Sequence, residues 1–171
     1  MSVADQALLD HATQSIEVGS KSFAAASRLF DPVTRRSAVM LYAWCRHCDD
    51  VIDGQEAGHS AKVVSQQEVT ERLQRLIAQT HAVYAGTPTH SPAFEAFREV
   101  VLRHGIEQRY ALQHLDGFAM DVSQREYRRI DDTLEYCYHV AGVVGLMMAQ
   151  IMGVSDEATL DRACDLGLAF Q

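Results

Sequence analysis

Apolar residues recur three and four positions apart along most of this chain, and each such run is bounded by residues that start or stop a helix. From Ala4 to about Glu17 the apolar positions fall at helical spacing, and SKSFAAASRLF after Gly19 predicts a second, short helix. Asp31 followed by Pro32 is a cap with proline at the first helical position. It opens a long helix to Asp53, with Gly54 as a left-handed terminator. QEAGHSAKVV is predicted as a loop. Ser65 with Glu68 reads as a capping box for a helix to about Tyr84, closed by Gly86. TPTHSP is another loop, Ser91-Pro92 starts a helix ending at Gly105, and a further helix covers roughly Glu107 to Val122. After an irregular SQREYRRI, Asp131 is predicted to cap a helix reaching Met152, with Gly153 behind it. Ser155 is predicted to cap the last helix, still running at Gln171. No strand alternation competes, and no repeat or linker divides the chain. The expectation is an all-α helical bundle, with residues 1–171 forming part of a single domain.

Composition narrows the function without choosing it. The 171 residues are 47% hydrophobic with only three prolines, enough to bury a core. A net charge of −8 argues against nucleic acid, which needs a basic surface. It does not exclude a phosphorylated small molecule, because a bound divalent cation reverses the local field. The first ten residues, MSVADQALLD, lack a basic stretch leading into an apolar core, so no secretory signal is expected and the location is predicted as cytoplasmic. VAGVVGLMMAQIMGV falls short of the ~20 residues that span a bilayer. Cys45 and Cys48 form a CxxC, but a zinc ribbon needs a second pair and a redox motif needs a preceding strand. The four cysteines are expected to be ordinary reduced thiols. LGLAFQ carries no helix stop signal, so the chain is expected to be part of something longer. No feature sets an oligomeric state.

The candidate chemistry lies in RHCDDVIDG, Arg46 to Gly54. At about 100° per residue, Val39, Tyr42, Arg46, Asp49, Asp50 and Asp53 fall on one helix face. Asp49–Asp53 and Asp50–Asp53 pairs repel by roughly 0.2–0.5 kcal/mol each. The negative helix end adds about 0.3–1 kcal/mol per carboxylate. A solvated acidic tip accounts for these costs on a surface, but not for acids that continue the core-facing stripe. The other reading is a hard cation such as Mg²⁺ on the carboxylates, with Arg46 holding a phosphate oxygen.

YAWCRHCDDVIDG, Tyr42 to Gly54, resembles the first aspartate-rich motif of the squalene and phytoene synthase family. YCYHVAGVVGLMMAQI, Tyr136 to Ile151, resembles that family's signature segment along its whole length. GSKSFAAAS, from Gly19, is similar to its Ser-x-Ser-Phe flap. The likeness runs through all 171 residues and is strongest to the branch that serves carotenoid pathways. It implies an isoprenoid synthase fold and head-to-head joining of two prenyl diphosphates. The expected substrate is geranylgeranyl diphosphate, converted through a cyclopropyl diphosphate to phytoene. The family carries a second aspartate-rich motif shortly after a segment like LGLAFQ, and this sequence does not reach one. The chain by itself is therefore expected to be inactive.

By the same resemblance, Asp49 and Asp53 would coordinate Mg²⁺ or Mn²⁺, with Asp50 as a further ligand or neighbouring acceptor. Arg46 and Lys21 would hold diphosphate oxygens, helped by Ser20 and Ser22. Phe23 would close over the substrate beside Tyr42. Tyr136 would steady a carbocation through its π-face. Ala141, Gly142 and Gly145 cluster in a helix interior, where each glycine costs about 1 kcal/mol relative to alanine. They give either close helix packing or room for an isoprenoid tail walled by Val140, Val144, Met147, Met148 and Ile151, with Gln171 at the reaction centre. So apolar a product implies transient contact with a membrane surface.

Three alternatives stand beside this. A squalene synthase-like enzyme would use farnesyl diphosphate, and a non-catalytic assembly factor would keep only the fold. A di-iron bundle needs paired ExxH motifs, and Glu56 with His59 supplies a single poor one.

Overall fold

The computed structural model describes residues 3–54, 65–123 and 125–171, and every regular element among them is helical. The elements are α1 (Val3–Gly19), α2 (Lys21–Ser27), α3 (Pro32–Asp53), α4 (Gln66–Tyr84), α5 (Pro92–His104) and α6 (Gln108–Val122). Then come α7 (Ile130–Cys137), a π-helical turn (Tyr138–Gly142), α8 (Val143–Ile151) and α9 (Glu157–Phe170). The predicted QEAGHSAKVV loop, with Glu56 and His59, lies outside the described residues.

Local chemistry fixes the ends of α3. The Asp31 side chain accepts from the backbone N–H groups of Val33 and Thr34, and Pro32 fills a position whose N–H would have no partner. At the other end Gly54 adopts φ 66°, where a side chain would be strained, and its N–H closes on the Asp50 carbonyl.

Four details differ from expectation. Arg129, not Asp131, caps α7, because the Asp132 carboxylate reaches back 3.0 Å to the backbone N–H of Arg128 and of Arg129. Asp156, not Ser155, caps α9. Its Oδ1 accepts from the Thr159 N–H at 2.9 Å, and a carboxylate is favoured at the positive helix end. On α4 Ser65 Oγ accepts from the Glu68 N–H at 3.2 Å, but the Glu68 carboxylate binds Arg72 at 2.7 Å. The long helix expected up to Met152 is interrupted by the π-turn at Tyr138–Gly142.

α3 runs through the middle, packed chiefly on α1 and α5 and touching α2, α4, α6 and α8. Trp44 lies flat on Phe97, ring centroids 4.0 Å apart and 9° from parallel, with Phe94 edge-on at 6.5 Å. These rings and Met40 are fully buried. α8 meets α9 through glycine: a Cβ on Gly145 would fall 2.4 Å from the Ala163 carbonyl oxygen, and one on Gly167 would fall 2.5 Å from that of Ala141.

A forked ion pair ties α3 to α5, with Arg36 Nε 2.6 Å from Glu99 Oε1 and Nη2 2.7 Å from Oε2. The Arg36 hydrogen bond holds the Glu99 carboxyl below its usual range, against the opposing effect of burial. A depressed carboxyl stabilises the fold above its unfolded value, and the benefit is lost as pH falls through the folded one. Glu99→Gln is therefore expected to cost about 1 kcal/mol at pH 7 and almost nothing well below the ordinary glutamate value of about 4.3. Urea unfolding of both proteins at pH 7 and at pH 3 measures the difference. An equal deficit at both pH values would refute it.

Candidate active site

The tip of α3 partly answers its own repulsion. Arg46 Nη1 lies 3.0 Å from Asp49 Oδ2 and Nη2 lies 2.5 Å from Asp50 Oδ1, while its Nε is buried without a hydrogen-bond partner. The three carboxylates do not share one face as expected. Asp50 turns into a cleft of about 240 Å³ between α1 and α3, lined by His11, Gln14, Ser15, Gly19 and Arg46. The cause is helical geometry: consecutive residues point about 100° apart, so Asp50 faces the α1 cleft while Asp49 faces Asp121, and the Arg46 guanidinium bridges the two. Asp49 is half-buried and Asp53 is exposed at the end of the helix.

Burial pushes the Asp49 carboxyl up; Arg46 opposes this, and Asp53, Asp50 and Asp121 add to it. Asp121, in the last turn of α6, escapes the sequence reading. Its Oδ2 accepts the Tyr136 hydroxyl at 3.1 Å. Partial burial raises its carboxyl, the tyrosine bond lowers it, and the charge of Asp53 raises it again. The Tyr136 hydroxyl is pushed up first by burial, then by Asp121, and the Tyr127 ring packs edge-on at 5.4 Å. A signal for Asp121 was available. α6, like α3, ends with an acid at its negative pole, where the dipole disfavours one.

Asp49, Asp53, Asp121 and Tyr136 thus converge from α3, α6 and α7. Among the described residues no three His, Cys, Asp or Glu side chains are arranged to hold a metal ion on their own. Beside the Tyr136 hydroxyl the donors are carboxylate oxygens, and Asp49 is raised by burial and then by like charges that a cation would neutralise. This set fits a hard divalent ion that keeps waters and borrows ligand oxygens, and it does not fit a closed protein cage.

The flap residues approach from α2. Ser20 caps the helix, its Oγ accepting from the Phe23 N–H at 3.3 Å and lying 3.2 Å from Ser22 Oγ. Lys21, Ser22 and Phe23 are exposed. Phe23 packs edge-on against Tyr42 at 6.2 Å, one helical turn before Arg46. Burial raises the Tyr42 hydroxyl, and Arg46 opposes that shift.

Phe23 also lines an apolar groove of about 750 Å³ between the π-turn, α8 and α9, together with Val140, Ala141, Gly145, Phe170 and Gln171. Val144 and Met148 belong to its wall as expected. Met147 and Ile151 do not. Both are buried in the core, because the face opposite the groove packs inward. The four cysteines are free thiols. Burial, reinforced by Asp49, pushes Cys45 up to about 12, and Cys48 is likewise raised, so neither forms a thiolate near neutral pH.

With this geometry in hand, the squalene/phytoene synthase profile matches residues 16–171. The chain is 64% identical over 164 residues to a phytoene synthase of Pseudescherichia vulneris, and 63% identical over 164 residues to a 15-cis-phytoene synthase of Pantoea ananas. Each alignment covers 96% of this chain and 53% of the relative, so the chain spans about half the length of the curated relatives it matches. A dehydrosqualene synthase crystal structure superposes with a TM-score of 0.79 at 26% identity, covering 96% of this chain and 54% of that one. Squalene synthase HpnC from Alicyclobacillus acidocaldarius superposes with a TM-score of 0.82 at 19% identity over 99% of this chain and 60% of its own, which bears on fold alone. The fold is therefore of the isoprenoid synthase type.

Proposed function

The chain belongs to the squalene/phytoene synthase family, and on that premise we propose that this protein condenses two molecules of geranylgeranyl diphosphate head to head into phytoene. The observation that carries this is the acidic mouth of Asp49, Asp53, Asp121 and Tyr136, set close to an apolar groove of about 750 Å³. A charged headgroup and a long hydrocarbon tail need those two environments side by side.

Arg46 and Lys21 bind diphosphate oxygens, with the Ser20 and Ser22 hydroxyls donating to them. Asp49 and Asp53 would hold Mg²⁺ or Mn²⁺, with Asp50 supporting through Arg46. When bound, the ion neutralises the charge developing on the departing diphosphate. Tyr136 turns its ring toward the allylic cation, and Asp121 keeps its hydroxyl in place. The alkene of the second molecule attacks that cation, and loss of a proton closes the ring to a cyclopropyl diphosphate. A second ionisation, rearrangement and a second proton loss follow, so two diphosphates and two protons leave for each phytoene. Val140, Ala141 and Gly145 wall the tails, Phe23 closes over them beside Tyr42, and Gln171 sets an amide at the groove edge. Together they keep water from quenching the cations.

The same reading places the protein in the cytoplasm, with transient contact at a membrane surface for product release. Among the described residues no helix is long and apolar enough to cross a membrane.

The test is incubation of the full-length enzyme with Mg²⁺ and either geranylgeranyl or farnesyl diphosphate, with extraction of the hydrocarbon. Phytoene from the longer substrate is the expected result. Turnover of farnesyl diphosphate alone would replace the substrate assignment, and no product from either would defeat the enzyme reading.

A further inference from the structure

Between the acidic mouth and the groove the helix changes from α to π. The Val143 N–H reaches back five residues to the Tyr138 carbonyl. Such turns are rare, occur mostly as single-turn bulges inside α-helices, and are frequent at functional sites. This one sets the angle between Tyr136 before it, facing Asp121, and Ala141 and Gly145, facing the groove.

The support comes from α6. His114 Nδ1 lies 3.2 Å from the His139 carbonyl oxygen inside the turn. A carbonyl only accepts, so Nδ1 carries the proton. His139 Nδ1 donates in return to the Gln113 carbonyl at 2.8 Å, and the Tyr138 hydroxyl donates to Gln113 Oε1 at 3.1 Å. Gly117 lets the two segments close up, since a Cβ there would fall 2.7 Å from Val140 Cγ1.

His114 is an odd occupant for its place. It is 4% exposed, its ring lies 5.4 Å from that of Trp44 and 5.1 Å from that of Phe118, and its Nε2 is buried without a partner. Burial drives its pKa down to about 4, so the ring is neutral near pH 7. A leucine would fill an apolar site without leaving a polar atom unmet. What leucine lacks is a donor for the His139 carbonyl.

We propose that His114 is a positioning residue: its Nδ1–H holds the π-turn to α6 and so aims Tyr136 at the acidic mouth. α6 thereby grips both ends of the device, through His114 at the turn and through Asp121, two helical turns further on, at the Tyr136 hydroxyl. The kinetic part of this inference rests on the role given to Tyr136 under the proposed function.

The discriminating pair is His114→Leu, which removes the donor, and His114→Asn, whose amide places a donor where Nδ1 stood. With ¹³Cζ-labelled tyrosine in the full chain, His114→Leu is expected to shift the Tyr136 resonance and His114→Asn to restore it. In turnover of geranylgeranyl diphosphate, His114→Leu is expected to lower kcat about tenfold with KM within about twofold, and His114→Asn to recover most of the loss. An unmoved Tyr136 resonance in His114→Leu, or equal effects of the two substitutions, would overturn the proposal. If His114→Leu does not fold, His114→Gln supplies the contrast with His114→Asn, because its donor sits one bond too far out. Should the wild type turn over neither substrate, the functional reading falls while the resonance still decides the positioning role.

Discussion

Asp53→Asn is expected to lower turnover of geranylgeranyl diphosphate by at least about a hundredfold while leaving the melting temperature unchanged or slightly raised. The two halves of this result have one cause. Asp53 is exposed, so an amide of the same shape disturbs no packing. Its charge raises the carboxyls of both Asp49 and Asp121. It also sits at the negative pole of α3, a placement costing about 0.3–1 kcal/mol. Neutralising it relieves repulsion and removes half of the pair proposed to hold the cation. Asp49→Asn should lose as much activity but gain less stability, because it also gives up the 3.0 Å ion pair with Arg46. Melting with and without Mg²⁺ completes the measurement: the ion should stabilise the wild type and leave Asp53→Asn unmoved. Wild-type turnover in Asp53→Asn would show that the acids are a solvated helix end after all.

What the sequence disclosed, and what it withheld, divides along a physical line. Both ends of α3 were legible because Asp31-Pro32 and Gly54 act on backbone groups within a few residues of themselves. The acids of RHCDDVIDG stood out because they violate local electrostatics, and a violation is visible without knowing the partner. What the split of Asp50 from Asp49 means was not legible, since it depends on which neighbour each meets, the α1 cleft or Asp121 of α6. Asp121 left a local trace, an acid at the negative pole of α6, but not its role. Its meaning comes from Tyr136, 15 residues away, and from Asp53 on a different helix. The π-turn left no trace in the apolar spacing. No proline marks it, and its support is a histidine on another helix. Met147 and Ile151 show the same limit. In a segment as evenly apolar as VVGLMMAQI the pattern does not say which greasy side chains face a groove and which face the core.

Gly145→Ala is expected to destabilise the protein by about 1–3 kcal/mol, although alanine is the better helix former by about 1 kcal/mol. Propensity and packing therefore make opposite forecasts, and the sign of the result decides between them. The added methyl would meet the Ala163 carbonyl oxygen at 2.4 Å, a backbone atom with no rotamer to escape into. On the facing side Gly167 packs so closely that a Cβ there would fall 2.5 Å from the Ala141 carbonyl oxygen, which blocks the opposite adjustment, so relief requires α9 to move away from α8 as a body. That movement opens the wall of the groove carrying Phe170 and Gln171. Water admitted there would quench the cations, and turnover should fall with stability instead of independently of it. Urea unfolding and product yield on the same preparation separate the outcomes. If Gly145→Ala proves as stable as the wild type or more so, α8 and α9 do not hold this spacing in solution. The two glycines would then owe their presence to the bound tail and not to the helix seam.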